Sequence, residues 1–186
     1  MNDLIRTVAY CLLIVPGLLI SGPGQNLFGF GAMGFALSMV LYAVVLFLVV
    51  LVHELGHAIA ALSFGWRVTL FAVFPIAYRP KTRKLGLWVL PSGDLGGAVS
   101  VSTGDRGRTR SQSAQLAAAG PLANVVFASL MFFLIYLAPA AQDILGFIAV
   151  SSLFVGLGNL LPWKTRNGIR SDGALIAAAL RRKSIS

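Results

Sequence analysis

Long uninterrupted apolar segments dominate the chain. Four stand out, at about residues 4–20, 31–64, 113–137 and 144–161. Each approaches or exceeds the roughly 20 apolar residues that a transmembrane helix needs. We therefore predict about four transmembrane helices. The first is expected to be retained rather than removed as a signal peptide, because no small-x-small cleavage site follows it.

Shorter runs rich in β-branched and aromatic residues separate the second and third apolar segments. Residues 68–77 and 85–90 flank a basic turn, and the run of residues 96–101 is expected to add a third short strand. This pattern predicts a small β-hairpin or sheet within about residues 66–101. The predicted fold class is a mainly α, polytopic membrane protein with a single domain over residues 1–186.

Composition agrees with this pattern. Hydrophobic residues make up 57% of the 186 residues and charged residues only 11%, whereas a soluble domain has about 25% charged residues. The lipid bilayer, not water, is therefore the expected main surrounding of the chain.

The basic residues indicate the orientation. Arg6 precedes the first segment, eight basic residues lie between the second and third, and six follow the fourth. With four spans all fifteen lie on one side, which the positive-inside rule makes the cytoplasm. We expect a bacterial inner membrane with both termini cytoplasmic. Orientation and attraction to anionic lipid headgroups explain the charge of +9, so we do not expect nucleic acid as a partner.

The chemistry-bearing residues lie near the end of the second apolar segment, in His53-Glu54-Leu55-Gly56-His57. Histidines four residues apart share one helical face, so both imidazoles can reach one metal ion. Such a pair suits zinc, which lowers the pKa of a bound water, and the adjacent Glu54 can take that proton as a general base.

The setting of this motif strengthens the interpretation. The chain has two histidines and one glutamate, and all three lie in these five residues. Ionisable groups within a membrane span are costly, and their default interpretation is functional. A catalytic zinc usually takes three protein ligands. Asp172 and Asp94 are the two candidates for the third, since Asp143 is expected on the opposite side of the membrane.

Three separated motifs resemble those of the site-2 protease family of intramembrane metalloproteases. The first is the His53–His57 motif. The second, Gly120-Pro121-Leu122-Ala123-Asn124, is similar to the family's Gly-Pro-x-x-Asn. The third, Asn159-Leu160-Leu161-Pro162 followed by Asp172-Gly173, is similar to its Asn-x-x-Pro and Asp-Gly. The chain resembles a compact form of the family without a PDZ domain.

The resemblance implies an intramembrane zinc metalloendopeptidase that cleaves a single-pass membrane protein near the cytoplasmic face. It implies one Zn²⁺ held by His53, His57 and Asp172, with Glu54 catalytic. It also implies that Asn124 and Asn159 hold the substrate or its reacting carbonyl.

Two other classes of function stay open at this stage. One is a non-catalytic membrane scaffold or chaperone that keeps the protease fold, and the other is a metal-ion carrier. The presence of Glu54 argues against a scaffold, because binding alone needs no base. The small number of intramembrane ligands argues against a transport route.

Overall fold

A computed structural model describes residues 35–88, 96–104, 107–165 and 168–181. In chain order these residues form α1 (Phe35–Ser63), β1 (Arg67–Val73), β2 (Ile76–Arg79), β3 (Lys84–Leu87), β4 (Gly97–Ser102), α2 (Arg110–Leu137), α3 (Gln142–Leu160) and α4 (Asp172–Leu180). The predicted mainly α fold with a small sheet is confirmed. The first predicted helix, residues 4–20, lies outside the described residues.

Three helical segments of the described chain are long and apolar enough to cross a membrane. They are Leu37–Ser63, Arg110–Leu137 and Pro139–Leu160, with mean hydropathies of 2.3, 2.0 and 1.7. At 1.5 Å per residue, even the shortest reaches about 33 Å, more than the roughly 30 Å of a bilayer's hydrocarbon core. These correspond to the predicted segments 31–64, 113–137 and 144–161.

A glycine cap ends α1 at the side of the bundle where the sheet begins. Gly65 has a positive φ of 71°, which glycine adopts without strain. Its N–H donates to the Leu62 carbonyl, and the Trp66 N–H donates to the Ala61 carbonyl. This is the Schellman pattern, which pairs carbonyls that the end of a helix leaves free. The chain therefore turns directly into β1.

The sheet is antiparallel, with the strand order β3-β2-β1-β4. We predicted one continuous run over residues 68–77, and this is wrong, because a turn at Phe74-Pro75 brings Val73 opposite Ile76. Proline has no N–H to donate to a strand ladder, so it separates β1 from β2. The predicted third run is β4, which pairs with β1 and forms one edge of the sheet.

The second spanning helix begins three residues before the predicted position 113. Thr109 and Gln112 form a capping box in which each side chain accepts from the other residue's backbone N–H. This cap satisfies two N–H groups that the start of a helix leaves unpaired. It extends α2 into the polar residues that precede the predicted apolar segment. Pro121 lies inside α2.

Small residues bring α1 and α2 into close contact. A Cβ added to Gly56 would meet the Ala119 carbonyl oxygen and lie 2.7 Å from the Cβ of Ala123. Membrane helices commonly use small residues in this way, because close approach increases their van der Waals contact. An apolar cluster packs α3 against α1. It contains Val45 and Val49 of α1 and Phe147 and Val155 of α3.

The contact at Gly56 predicts a specific loss of stability. Gly56→Ala places a methyl group where the α2 backbone already lies. Overpacking of this kind costs about 1–3 kcal/mol, so the variant should unfold at a lower temperature in detergent. Gly86→Ala is the matched control, since its added Cβ would come no closer than 3.8 Å to the end of the Arg79 side chain. Equal thermal unfolding of both variants and the original protein would contradict the contact.

Candidate metal centre

The two histidines of α1 present their rings to the same point. They are one helical turn apart, and their Nε2 atoms lie 3.2 Å from each other. The ring planes cross at 81°, so both nitrogens converge although the rings do not stack. The exposed fraction of His53 is only 4%. The helical spacing in the sequence thus produces a convergent pair of nitrogen donors.

Asp172 completes this cluster from the first turn of α4. Its Oδ2 lies 3.0 Å from His53 Nε2, and its Oδ1 lies 3.4 Å from His57 Nε2. Burial alone raises the pKa of the Asp172 carboxyl, but its hydrogen bonds to the two histidines and their charge lower the pKa below its ordinary value overall. The carboxyl group is therefore held in its ionised, metal-binding form.

Two neighbours of Asp172 fix its position. The Ser171 side chain caps α4 by accepting from the Ala174 N–H, and its hydroxyl donates to the Leu161 carbonyl at 2.6 Å. A Cβ added to Gly173 would collide with the Leu160 carbonyl oxygen at the end of α3. The Asp-Gly pair therefore places the carboxylate where α4 packs directly against α3.

The ligand atoms of these three residues lie within 4.8 Å of one another. In a tetrahedral zinc site with bonds of about 2.0–2.1 Å, neighbouring ligand atoms are about 3.3 Å apart. The two Nε2 atoms are 3.2 Å apart, and each has one oxygen of the Asp172 carboxylate at a similar distance, Oδ2 at 3.0 Å from His53 and Oδ1 at 3.4 Å from His57. Two imidazole nitrogens and one carboxylate are also a typical donor set for catalytic zinc.

Gly120 of α2 leaves space for an ion at this point. A Cβ added there would meet His57 Nε2 and lie 2.7 Å from His53 Nε2. Any larger residue would fill the space between the two ligand nitrogens. The residues present therefore fit a zinc ion in both donor chemistry and available room.

Glu54 lies beside this cluster, between α1 and the edge of the sheet. It is buried, with an exposed fraction of 7%. A Cβ added to Gly97 of β4 would lie 2.5 Å from Glu54 Oε1, so the strand backbone passes directly over the carboxyl group. Together with the histidines, Glu54 lines a cavity of about 510 Å³, whose other walls include residues 97–101 of β4 and the start of α4.

The two predicted asparagines occupy different places around His53. Asn159, near the end of α3, lines the cavity with its Nδ2 3.4 Å from His53 Nε2. Asn124 is fully buried behind the ring, with its Nδ2 3.4 Å from His53 Nδ1. The substrate-binding role of either residue stays a prediction. The rival third ligand, Asp94, is outside the described residues. Asp143, which we expected on the opposite side of the membrane, lies in the first turn of α3.

Comparison with known proteins decides the family. The sequence matches Peptidase family M50 over residues 41–142, which is 102 of its 186 residues. The chain belongs to peptidase family M50. This confirms the resemblance to the site-2 proteases.

One curated relative indicates how far the sequence has diverged from a known protein. The chain is 29% identical over 138 residues to the Regulator of sigma-E protease RseP of Escherichia coli (strain K12). The alignment covers 65% of this chain and 31% of that protein, so the chain spans about a third of the relative's length. No solved structure matches the sequence.

The M50 match ends at residue 142, so it covers the His53–His57 motif and Asn124 but neither Asn159 nor Asp172. The family resemblance implied Asp172 as the third ligand, and the tertiary structure places its carboxylate beside both histidines. Sequence reasoning did not predict that Gly97 lies over Glu54 or that Gly120 lies against both histidines. The available signal was that each of the three motifs contains a glycine together with a candidate site residue.

Asp172 carries a prediction about metal content. Removing a residue that only supports a ligand lowers metal affinity by about 10–100-fold, and removing a ligand should cost at least as much. Purified Asp172→Ala is therefore expected to retain less than about a tenth of the zinc of the unaltered chain, measured by elemental analysis.

Asp94→Ala and Asp143→Ala are the matched controls for this measurement, and both should retain their zinc. Unchanged zinc in Asp172→Ala, or its loss from Asp94→Ala alone, would assign the third ligand to another residue.

Proposed function

We propose that the chain is an intramembrane zinc metalloendopeptidase that cleaves a membrane-spanning protein near the cytoplasmic face. The observation that carries the proposal is the meeting of His53, His57 and Asp172 around a space that Gly120 leaves open. Membership of peptidase family M50 supports the same activity. We assign the three residues as ligands of one Zn²⁺.

The proposed reaction is hydrolysis of a peptide bond. Bound zinc supplies Lewis acidity, which polarises a carbonyl and makes water easier to deprotonate. Glu54 takes a proton from the attacking water as its oxygen bonds to the carbonyl carbon. When the carbon–nitrogen bond breaks, Glu54 returns that proton to the leaving amine. Burial of Glu54 beneath β4 keeps this transfer away from bulk water.

Asn159 is the better placed of the two asparagines to act on the substrate. Its amide nitrogen lies 3.4 Å from His53 Nε2, and the residue lines the cavity. From there an N–H can donate to the oxygen that becomes negative during the reaction. Removing such donors in other proteases costs about 2.7–4 kcal/mol of transition-state stabilisation.

Glu54→Gln tests whether the site is catalytic. The amide has nearly the same shape as the carboxyl group but cannot accept the proton, so cleavage should fall by at least about 100-fold, the lower limit of typical acid–base contributions. Zinc content should not change, because Glu54 is not among the three ligands. Both are measured on protein reconstituted in bilayers with a transmembrane substrate.

The same variant separates the proposal from a non-catalytic scaffold or a metal carrier. Neither of those functions needs a base, so a chain whose biological activity survives Glu54→Gln with zinc retained is not a protease. Loss of zinc from the variant would instead mean that Glu54 belongs to the ligand set.

We propose that substrate enters along the free edge of β4. A transmembrane helix must unwind before cleavage, since its own hydrogen bonds shield its carbonyl groups. Residues 97–101 of β4 line the cavity, and β4 is an edge strand. An extended segment that pairs with that edge would lie beside Glu54.

The register of β1 and β4 indicates which backbone groups of β4 are available to pair with a substrate. The Phe74 N–H donates to the Gly96 carbonyl, and hydrogen-bonded pairs alternate along an antiparallel ladder. Ala98 opposite Ala72 is therefore hydrogen-bonded, whereas Val99 opposite Phe71 directs its N–H and C=O away from β1.

Val99→Pro tests this entry route. Proline removes the outward N–H but not a bond to β1, and edge strands tolerate it. We expect KM for a transmembrane substrate to rise about tenfold, the equivalent of one lost hydrogen bond of about 1–1.5 kcal/mol. Val99→Ala, which keeps the N–H, is the control. Equal KM values for the two variants would exclude pairing at this edge.

We also propose that the site faces the cytoplasm of a bacterial inner membrane, with both termini on that side. Successive spanning helices reverse direction, so the sheet and α4 lie at the same end of the bundle. The described lysines and arginines lie at that end of the bundle. The connection between α2 and α3, at residues 138–141, contains no basic residue. This distribution supports the orientation through the positive-inside rule.

A further inference from the structure

Asn124 lies in the middle of α2, with its backbone carbonyl and its Cβ in close contact with α3. It is fully buried, and the Ser152 hydroxyl of α3 donates to its backbone carbonyl at 2.9 Å. A Cβ added to Gly156 would lie 3.1 Å from the Asn124 Cβ, so α3 packs tightly against it. The side chain lies against the ring of His53, on the side away from the cavity.

The chemistry of His53 sets a requirement on its other ring nitrogen. Its Nε2 faces His57 and Asp172, so this nitrogen must offer its lone pair to bind a cation. A neutral imidazole then carries its proton on Nδ1, which becomes a hydrogen-bond donor. A buried donor of this kind needs an acceptor.

His57 meets the same requirement through the backbone of α2. Its Nδ1 donates to the Leu116 carbonyl oxygen at 2.8 Å, which leaves Nε2 free to bind the cation. Metal-binding histidines usually make such a bond, because it fixes both the tautomer and the orientation of the ring. At His53 the only described partner of Nδ1 is the amide of Asn124.

The orientation of that amide is the deciding detail. Its Nδ2 lies 3.4 Å from His53 Nδ1, while its Oδ1 is buried without a hydrogen-bond partner among the described residues. In the tautomer that binds a cation, this arrangement would place two hydrogen-bond donors, the His53 Nδ1–H and the Asn124 amide N–H, against each other. The two ends of an amide have nearly the same size, so a half-turn of the group exchanges them within the same space. The oxygen then accepts from Nδ1–H.

We infer that Asn124 is a positioning residue of the metal centre, whose Oδ1 accepts a hydrogen bond from His53 Nδ1–H and holds His53 in its metal-binding tautomer. This inference rests on the proposed zinc site, but it assigns Asn124 a task different from substrate contact. The two histidines thus share one arrangement, in which α2 supplies an acceptor behind each ring, a backbone carbonyl for His57 and a side-chain amide for His53.

Zinc affinity, measured by competition with a chelator, tests the inference in purified full-length protein. Asn124→Leu removes the acceptor, and apparent affinity should fall about 10–100-fold, as other losses behind a metal-binding histidine do. Asn124→Asp keeps an acceptor oxygen and should bind zinc within a few-fold of the unaltered chain. Ser129→Ala, an exposed change on the same helix, is the control and should have no effect.

Nitrogen NMR of histidine-labelled protein reads the tautomer directly, and the chain has only two histidines. In the zinc-loaded unaltered chain both rings should carry a proton on Nδ1, and the His53 Nδ1–H signal should show the downfield shift and slow exchange of a hydrogen-bonded proton. In zinc-loaded Asn124→Leu the His57 Nδ1–H signal should stay, whereas the His53 Nδ1–H signal should move upfield and exchange faster, because its acceptor is gone. This measurement on the unaltered chain does not depend on whether a variant folds.

The outcomes separate the inference from the proposed function. A His53 Nδ1–H without a hydrogen bond in the zinc-loaded unaltered chain would overturn the inference, as would a folded Asn124→Leu with unchanged zinc affinity. A raised KM at unchanged zinc affinity would assign Asn124 to the substrate instead. Failure of the unaltered, folded chain to bind zinc would refute the proposed function, whatever the tautomer.

Discussion

The short contacts between the Asp172 carboxylate and the imidazoles of His53 and His57 are the constraint around which the rest of the structure is arranged. A buried carboxylate without partners is strongly unfavourable, and so is an unpaired polar group in an apolar bundle. At separations of 3.0 and 3.4 Å these groups compensate one another. Because they come from opposite ends of the described chain, their pairing requires α1, α2, α3 and α4 to assemble around one point.

Glycine makes that assembly possible, because helix and strand backbones approach the site more closely than any side chain would allow. Gly120 opens the space between the histidines, Gly97 lets β4 pass over Glu54, and Gly173 seats α4 on the end of α3. Gly56 has the same effect where α1 crosses α2. In a membrane the lipid tails are as apolar as the helix surfaces, so the hydrophobic effect does little to bring helices together. Close contacts of this kind therefore contribute much of the packing energy.

One edge of the sheet lies beside the candidate catalytic and metal-binding residues. Its strand β4 is paired on one side only, and the unpaired side borders the cavity. An unpaired strand edge is ordinarily a liability, since it can pair with other chains. Here it lies next to Glu54 and the three candidate metal ligands, which supports the proposed pairing of an extended substrate with this edge.

The sequence by itself determined the three apolar helices, the location of the sheet and the meeting of His53 with His57, because local periodicity and composition control all of these. It did not determine the break at Pro75 or the start of α2 at its Thr109 cap, since each depends on the geometry of a few residues. The residues alone left Asp172 and Asp94 open as the third ligand, and the family resemblance favoured Asp172; the tertiary structure brought its carboxylate to the histidines and placed Gly120 between them. Contacts between residues as far apart in the sequence as 53 and 172 depend on how the helices pack. Local sequence patterns do not specify that packing.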